Sequence, residues 1–144
     1  MKQSAGILMY RFDGGTLRVL LAHPGGPFWA NRDAGAWTIP KGEFTDEDPL
    51  AAARREFEEE LGTGVEGTFI ALSPCRQKSG KIVHAFAVEG NLDVTTVRSN
   101  TFELRPGLHY PEVDRAEWFT IADAMRKINP AQRAFLRELQ QKLG

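Results

Sequence analysis

Three glutamates that lie close together in the sequence are the strongest indication of chemistry in this chain. Glu56, Glu59 and Glu60 fall on or beside one stripe of a helix, where residues three and four apart are neighbours. Like charges at that spacing destabilise a helix, so a positive group is expected beside them. Arg55 can neutralise part of the charge, but carboxylate oxygens are also the ligands that hard cations such as Mg2+ require. A solvated acidic helix face is the ordinary alternative.

The glutamates need a helix to hold them at this spacing, and the sequence marks both of its ends. Asp48 can cap the helix, Pro49 suits its first position, and Gly62 can adopt the left-handed conformation that ends it. These signals predict a helix over about 49–61. The apolar residues expected to pack inward are Leu50, Ala53, Phe57 and Leu61.

The residues on either side of the predicted helix weigh against a merely solvated acidic face. The segment ahead of it reads Trp37-Thr38-Ile39-Pro40-Lys41-Gly42, and the helix continues Arg55-Glu56-Phe57-Glu58-Glu59-Glu60-Leu61-Gly62. Together they resemble the Nudix box of the Nudix hydrolases. That pattern is a glycine, five residues, a glutamate, seven residues, Arg-Glu, an apolar residue, any residue, Glu-Glu, any residue, then Gly and usually an apolar residue.

The loop half of the motif departs from the family pattern at two places. Only four residues separate Gly42 from Glu47 where the family has five, and Thr63 stands where an aliphatic residue is usual. The shorter loop leaves two assignments open. The accessory acid is either Glu47 or Asp48, and the carbonyl that faces the metal belongs either to Gly42 or to its neighbour.

The resemblance implies a Mg2+-dependent hydrolase, with Mn2+ as a substitute ion. Carried over from the box, Glu56 and Glu60 are the principal metal ligands, and Glu59 is a third ligand or binds a second ion. The Gly42 carbonyl completes the shell. Glu59 is also counted in the catalytic group, together with Arg55, which orients or neutralises the cluster.

A further acidic residue is expected late in the chain. Many Nudix proteins carry a late strand that ends in Trp-Phe or a similar pair, with a glutamate in the loop several residues earlier. Trp118-Phe119 matches that pair, and Glu112 lies six positions ahead of Trp118. Glu112 is therefore the candidate general base, and Glu103 is the alternative.

A loop over about 23–36, rich in Gly and Pro, is long enough to form one wall of a pocket. Phe28 and Trp29 can stack on a base, or they can hold the loop down. Arg32 is a candidate phosphate contact, with solvent exposure as the alternative. Lys41, within the motif, is a second candidate phosphate contact. His23 is interpreted as a polar residue at the end of a strand.

The remaining elements predict one domain over 1–144, a Nudix-like α/β/α sandwich with a mixed sheet. The predicted strands are 4–10, 17–22, 37–39, 65–72, 82–88, 101–104 and one that ends at 118–119. A short helix is predicted over 121–128 and a final helix from 129–130 onward. Phe135, Leu136, Leu139 and Leu143 form the inward stripe of the final helix, and its Arg and Gln residues are expected to face water.

Composition excludes several classes of protein. A length of 144 residues with 42% hydrophobic content suits one core, and a net charge of −1 provides no general attraction to nucleic acid or membranes. The single cysteine, Cys75, cannot form an internal disulfide, and the apolar stretch near the N-terminus is too short to span a bilayer. These features predict a cytoplasmic protein. They do not indicate an oligomeric state.

The resemblance also implies the class of substrate, a nucleoside diphosphate linked to another group. The Pro-Lys-Gly form of the motif is similar to that of diadenosine tetraphosphate hydrolases and some nucleoside triphosphate pyrophosphohydrolases. Dinucleoside polyphosphates and nucleoside triphosphates are therefore the leading substrates. A non-catalytic nucleotide-binding module and a structural domain with an acidic helix remain as alternatives.

Overall fold

A sheet lies between helices in the computed structural model, which describes residues 2–144. The strands are β1 (Gln3–Asp13), β2 (Thr16–Pro24), β3 (Lys41–Phe44), β4 (Ile70–Ala71), β5 (Cys75–Arg76), β6 (Ile82–Glu89), β7 (Thr101–Arg105), β8 (Leu108–Pro111) and β9 (Val113–Thr120). The α-helices are α1 (Pro49–Leu61), α2 (Ile121–Lys127) and α3 (Arg133–Leu143). Short 3-10 turns cover Val94–Thr96 and Pro130–Gln132.

The sheet is organised around β1, which has neighbours along both edges. On one edge β1 runs parallel to β6, and on the other it pairs antiparallel with β3 near its start and with β2 near its end. β9 adds antiparallel to β2, while β4 and β5 add to β6. Along the second edge, β3 pairs with residues 3–6 of β1 and β2 pairs with residues 10–13. Between these pairings the Ile7 N–H donates to the Pro40 carbonyl at 3.1 Å, just ahead of β3.

Both faces of the sheet are buried, because successive side chains of β1 point to opposite faces and both sets are apolar. Ile7 and Met9 pack on the α1 side, and Leu8 and Tyr10 pack on the side of α2 and α3. The mixed sheet with helices on both faces confirms the predicted α/β/α sandwich.

The capping signals of α1 are confirmed. The Asp48 carboxylate accepts a hydrogen bond from the Ala51 N–H at 3.1 Å, and Gly62 ends the helix in the left-handed conformation at φ 82°. Of the predicted inward residues, Leu50 is partly exposed, and Ala52 is buried in addition to Ala53, Phe57 and Leu61.

Several strand predictions were wrong in extent. The strand predicted over 65–72 is regular only at Ile70–Ala71, and residues 37–38 make isolated bridges, with regular pairing beginning at Lys41. Leu108–Pro111 was not predicted at all, because Pro106-Gly107 is the turn of a hairpin and not simply a break. The final helix begins at Arg133, after a 3-10 turn at Pro130–Gln132.

No helix within residues 2–144 is long and apolar enough to cross a membrane.

Candidate active site

The start of β3 and the middle of α1 form the centre of the site. Gly42 is in register with Ala5 of β1, and the Glu56 carboxylate of α1 lies directly against it. A Cβ added to Gly42 would come within 2.0 Å of Glu56 Oε2. Any side chain at position 42 would therefore displace the Glu56 carboxylate from this place. The sequence motif therefore has a steric basis in this chain.

Glu60 is buried one turn further along α1. Its side chain is 8% exposed, and its Oε1 accepts a hydrogen bond from the Lys41 backbone N–H at 3.2 Å. Burial first, then the nearby Glu56 and Glu112, raise the pKa of Glu60 to about 8. The ionised form of Glu60 is therefore destabilised at this position, and a bound cation would stabilise it.

The ionised form of Glu56 is destabilised in a similar way. It is 7% exposed, and burial followed by repulsion from Glu59 raises its pKa to about 7. Lys41 lies nearby, and burial lowers the pKa of its ammonium group. Its charge offsets only part of the repulsion between these carboxylates.

Arg55 connects the acidic groups on the exposed side of the cluster. Its Nη1 lies 3.3 Å from Glu59 Oε1 and 3.4 Å from Glu56 Oε2, and its Nη2 lies 2.7 Å from Glu47 Oε1. Asp48 is used instead as the cap of α1. Of the two candidates for the accessory acid, the structure thus brings Glu47 to the cluster through Arg55.

Glu112 approaches the cluster from the other end of the chain. It lies between β8 and β9, where its N–H donates to the Asn100 carbonyl at 2.8 Å. The Asn100 N–H in turn donates to the Glu59 carbonyl at 2.9 Å, so backbone hydrogen bonds connect this loop to α1. Burial first, and then Glu59, raise the pKa of the Glu112 carboxyl. Glu103 lies on the β7–β8 hairpin, where it is exposed and pairs with His109 at 3.2 Å.

Two adjoining cavities open beside these carboxylates. The first has a volume of about 300 Å3 and includes Lys41, Trp29 and Gln132 in its wall. The second, of about 560 Å3, is largely apolar and is lined by the 24–29 loop together with Phe102 and Leu104. Glu60, Glu112, Trp29 and Pro24 border both cavities. A ligand that spans them would pass the acidic cluster.

The 23–36 loop is held by contacts that sequence alone did not indicate. The buried His23 ring lies 2.9 Å from Asp114 Oδ1 through Nδ1 and 2.6 Å from the Arg32 carbonyl oxygen through Nε2. The Arg32 guanidinium lies over the Phe28 ring, and its Nε donates to the Phe28 carbonyl at 3.0 Å. Trp29 borders both cavities as predicted for a pocket wall, whereas Arg32 packs on its own loop.

The cavity walls also contain residues that the sequence did not single out. Gln132 was expected to face water with the other Gln residues of the final segment, and that prediction was wrong, because it is fully buried. Asn129 and Gln77 line the smaller cavity, and Phe102 lines the larger one. No local pattern distinguishes these residues. They come from separate parts of the chain, since Gln77 follows β5, Asn129 and Gln132 lie between α2 and α3, and Phe102 is on β7.

Comparison with known proteins identifies the family. A model of the NUDIX domain matches residues 1–139. The chain belongs to the Nudix family. The search of curated proteins gave no match.

Solved Nudix structures share the fold over nearly the whole chain. An Ap4A hydrolase from C. elegans, solved as a binary complex, is 25% identical with a TM-score of 0.72, covering 99% of this chain and 98% of that one. The NUDIX domain of Shewanella oneidensis NrtR, complexed with ADP ribose, is 14% identical with a TM-score of 0.68, covering 99% and 88%. The E. coli ORF135 protein is 24% identical with a TM-score of 0.63, covering 100% and 91%.

Nudix hydrolases generally use divalent metals, and the donor set here is consistent with one. Glu56 and Glu60 are buried carboxylates with raised pKa values, and Glu112 adds a third acidic group within range of Glu60. Hard oxygen donors with unbalanced negative charge fit Mg2+ or a similar ion. Among residues 2–144, however, no three His, Cys, Asp or Glu side chains are close enough to form a ready-made metal site.

Proposed function

We propose that this Nudix protein hydrolyses a phosphoanhydride bond in a compound that contains a nucleoside diphosphate. The observation that carries the proposal is the convergence of Glu56, Glu60 and Glu112 beside cavities bordered by Trp29. The carboxylates suit a cation-bound polyphosphate, and the cavities suit the flat, partly apolar remainder of a nucleotide.

The charged residues are assigned roles that their surroundings support. Glu56 and Glu60 would hold Mg2+, or Mn2+ as a substitute, with Glu59 and the Gly42 carbonyl as further ligands. Bound there, the ion would neutralise phosphate charge and lower the pKa of water. Arg55, which contacts Glu59 and Glu56, orients these carboxylates.

Glu112 is proposed as the general base, because it is half-buried beside both cavities, and burial followed by Glu59 raises its pKa above the ordinary value. In the hydrolytic step, water oxygen forms a bond to phosphorus while the bond to the bridging oxygen breaks. The water proton passes to Glu112, and the leaving phosphate takes the bridging oxygen with its electron pair. Lys41 lies in the wall of the smaller cavity, which supports its proposed role as a phosphate contact. Arg32 remains a candidate phosphate contact only if it leaves Phe28.

Dinucleoside polyphosphates and nucleoside triphosphates are the proposed substrates. Two cavities that meet at Glu60 and Glu112 favour a substrate with a group at each end of its phosphate chain. The likeness to an Ap4A hydrolase over almost the full length of both chains supports the same class.

The proposal is tested by a substrate panel. Diadenosine polyphosphates, the four nucleoside triphosphates and ADP-ribose are incubated with Mg2+, with Mn2+, or with EDTA, and products are separated by chromatography. We expect metal-dependent cleavage of at least one dinucleotide or triphosphate. Absence of cleavage across the panel with either metal, by folded protein, would contradict the proposal.

A non-catalytic nucleotide-binding role is the second candidate, and one observation favours it. Arg55 already contacts Glu47, Glu56 and Glu59, so the acidic cluster is partly neutralised within the protein. This role predicts that calorimetry detects nucleotide binding while no product is released with Mg2+ or Mn2+.

A further inference from the structure

A glutamine in the wall of the smaller cavity has hydrogen-bonding capacity that the protein does not use. Gln132 has no solvent-exposed surface, and its Nε2 has no acceptor within hydrogen-bonding distance in the part of the chain that the structure describes. Leaving a buried amide donor unpaired costs roughly 1–3 kcal/mol. Such a residue therefore needs an explanation.

The orientation of the Gln132 amide is fixed by its other end. Its Oε1 accepts a hydrogen bond from the Ile39 backbone N–H at 3.1 Å. Turning the amide over would place its NH2 group against that N–H, donor against donor. The unpartnered group is consequently the NH2, which can only donate.

The neighbouring residue Asn129 is arranged in the same way. Its Oδ1 accepts from the Ala131 N–H at 3.0 Å, so its NH2 is also left to donate elsewhere. Asn129 and Gln132 both line the cavity of about 300 Å3. The wall of this cavity thus contains two side chains with neutral hydrogen-bond donors.

Apolar side chains make up much of the rest of this cavity wall. Ala22, Ala36 and Ile39 line it, with Trp29 also in the wall. Lys41 and Glu60 line the same cavity, and the Lys41 N–H that binds Glu60 lies two residues along the chain from Ile39, which binds Gln132. Apolar walls, an aromatic ring and neutral donors suit a nucleobase better than a phosphate.

We propose that the Gln132 NH2 group donates a hydrogen bond to an acceptor on the edge of the substrate's nucleobase, a carbonyl oxygen or ring nitrogen, and so determines base specificity. This inference rests on the proposed nucleotide chemistry and extends it to base selection. A base that presents a donor or a C–H at this point leaves the amide unpaired and is rejected, because a site built around a hydrogen bond discriminates against ligands that lack the partner.

The first test observes the amide directly and needs no turnover. In 15N-labelled full-length protein, the Gln132 side-chain NH2 signals are assigned by their loss in Gln132→Glu. Nucleoside 5′-monophosphates and, separately, inorganic pyrophosphate are then titrated in the presence of Mg2+. We expect at least one monophosphate, and not pyrophosphate, to shift these signals downfield.

The second test locates the acceptor with substrate analogues in which a single base nitrogen or carbonyl is replaced by C–H. In the wild type, removal of the right acceptor lowers kcat/KM roughly tenfold to a hundredfold, mainly through KM. In Gln132→Glu and Gln132→Met the same removal has no further effect, because the donor is already absent. Gln140→Glu, an identical change at an exposed position of α3, is the matched control and keeps the full analogue penalty.

Three results would overturn the inference. One is an equal shift of the Gln132 signals with pyrophosphate. Another is no response to any monophosphate that binds, with a trapped water satisfying the NH2 group. The third is an analogue penalty that persists in both Gln132 variants while they remain folded by thermal melting. If no substrate is hydrolysed, the proposed function fails, yet the titration still decides the role of Gln132.

Discussion

Glu60 has opposite effects on activity and on the stability of the metal-free protein. Its carboxylate is buried beside Glu56, and nothing but the Lys41 N–H is hydrogen-bonded to it among residues 2–144. Glu60→Gln should lower Mg2+-dependent kcat/KM by about a hundredfold or more, because a ligand is lost. The same change should raise the melting temperature in EDTA at pH 8, where it removes a buried charge.

Glu58→Gln provides the matched control for that prediction. Glu58 lies on the same helix but is exposed, so neither activity nor melting temperature should change appreciably. If Glu60→Gln retains wild-type turnover on a confirmed substrate, the metal-binding role of Glu60 is wrong. If Glu60→Gln retains the wild-type melting temperature in EDTA, the buried charge of Glu60 does not destabilise the metal-free protein.

Gly42 is predicted to be intolerant of even one methyl group. In Gly42→Ala the new Cβ would meet the Glu56 carboxylate at about 2 Å, so the side chain would be displaced from β3. We expect at least a tenfold loss of activity, because the Glu56 carboxylate is displaced, and a smaller effect on the free energy of unfolding, because the displaced group is the end of a flexible side chain. Urea denaturation and steady-state kinetics measure the two effects.

Gly64→Ala controls for the general cost of replacing glycine next to α1. A Cβ at Gly64 would lie 3.7 Å from Glu58 Oε2, an ordinary contact. Activity should therefore be retained in this variant. Equal losses in the two variants would show that the effect at Gly42 does not come from Glu56.

At the level of elements, substitutions of the two acidic residues before α1 should have different effects on stability and on activity. Asp48→Ala removes the cap of α1 and should cost about 1 kcal/mol of stability, with activity at saturating Mg2+ within about twofold of the wild type. Glu47→Gln leaves the cap intact but weakens the anchor of Arg55 at 2.7 Å, so it should lower activity more than stability. The reverse pattern would assign the accessory role to Asp48.

The elements that sequence predicted well are those with local signals. Helix α1 was predicted at its observed bounds because Asp48, Pro49 and Gly62 mark its ends. β3 was missed because Lys41–Phe44 has no alternating pattern, and its strand character comes from pairing with Gln3–Gly6. The strand at 65–72 was overestimated for the converse reason, since regular pairing with β6 covers Ile70 and Ala71, followed by one hydrogen bond from the Leu72 N–H to the Ala85 carbonyl at 2.9 Å.

The same distinction applies to the site. The helical carboxylates follow from spacing within one element, and Glu112 followed from a family pattern near Trp118. Gln132 could not be predicted, because its burial and its bond to Ile39 join residues 93 positions apart. The loop contacts of His23 depend likewise on Asp114, which is 91 positions away.

At the scale of the whole molecule, the buried carboxylates should make stability depend on pH. The folded-state pKa values of Glu56 and Glu60 rise from 4.5 to about 7 and about 8. Between pH 5 and 8 the folded protein therefore binds more protons than the unfolded chain. The free energy of unfolding decreases as pH rises over any range in which the folded state binds more protons than the unfolded chain. In EDTA, the contribution of these groups is full below about pH 4.5 and is lost as pH rises through 7 to 8.

Mg2+ should counteract this loss, and urea unfolding from pH 5 to 8.5 measures both effects. A cation that binds the ionised carboxylates stabilises the folded state by mass action, so its effect should be small at pH 5 and grow towards pH 8. The double variant Glu56→Gln/Glu60→Gln isolates the groups responsible, because it should flatten the difference between the EDTA and Mg2+ curves. If the difference between the Mg2+ and EDTA curves grows with pH equally in the wild type and in the double variant, these two glutamates bind no metal. All other titrating groups are common to both proteins.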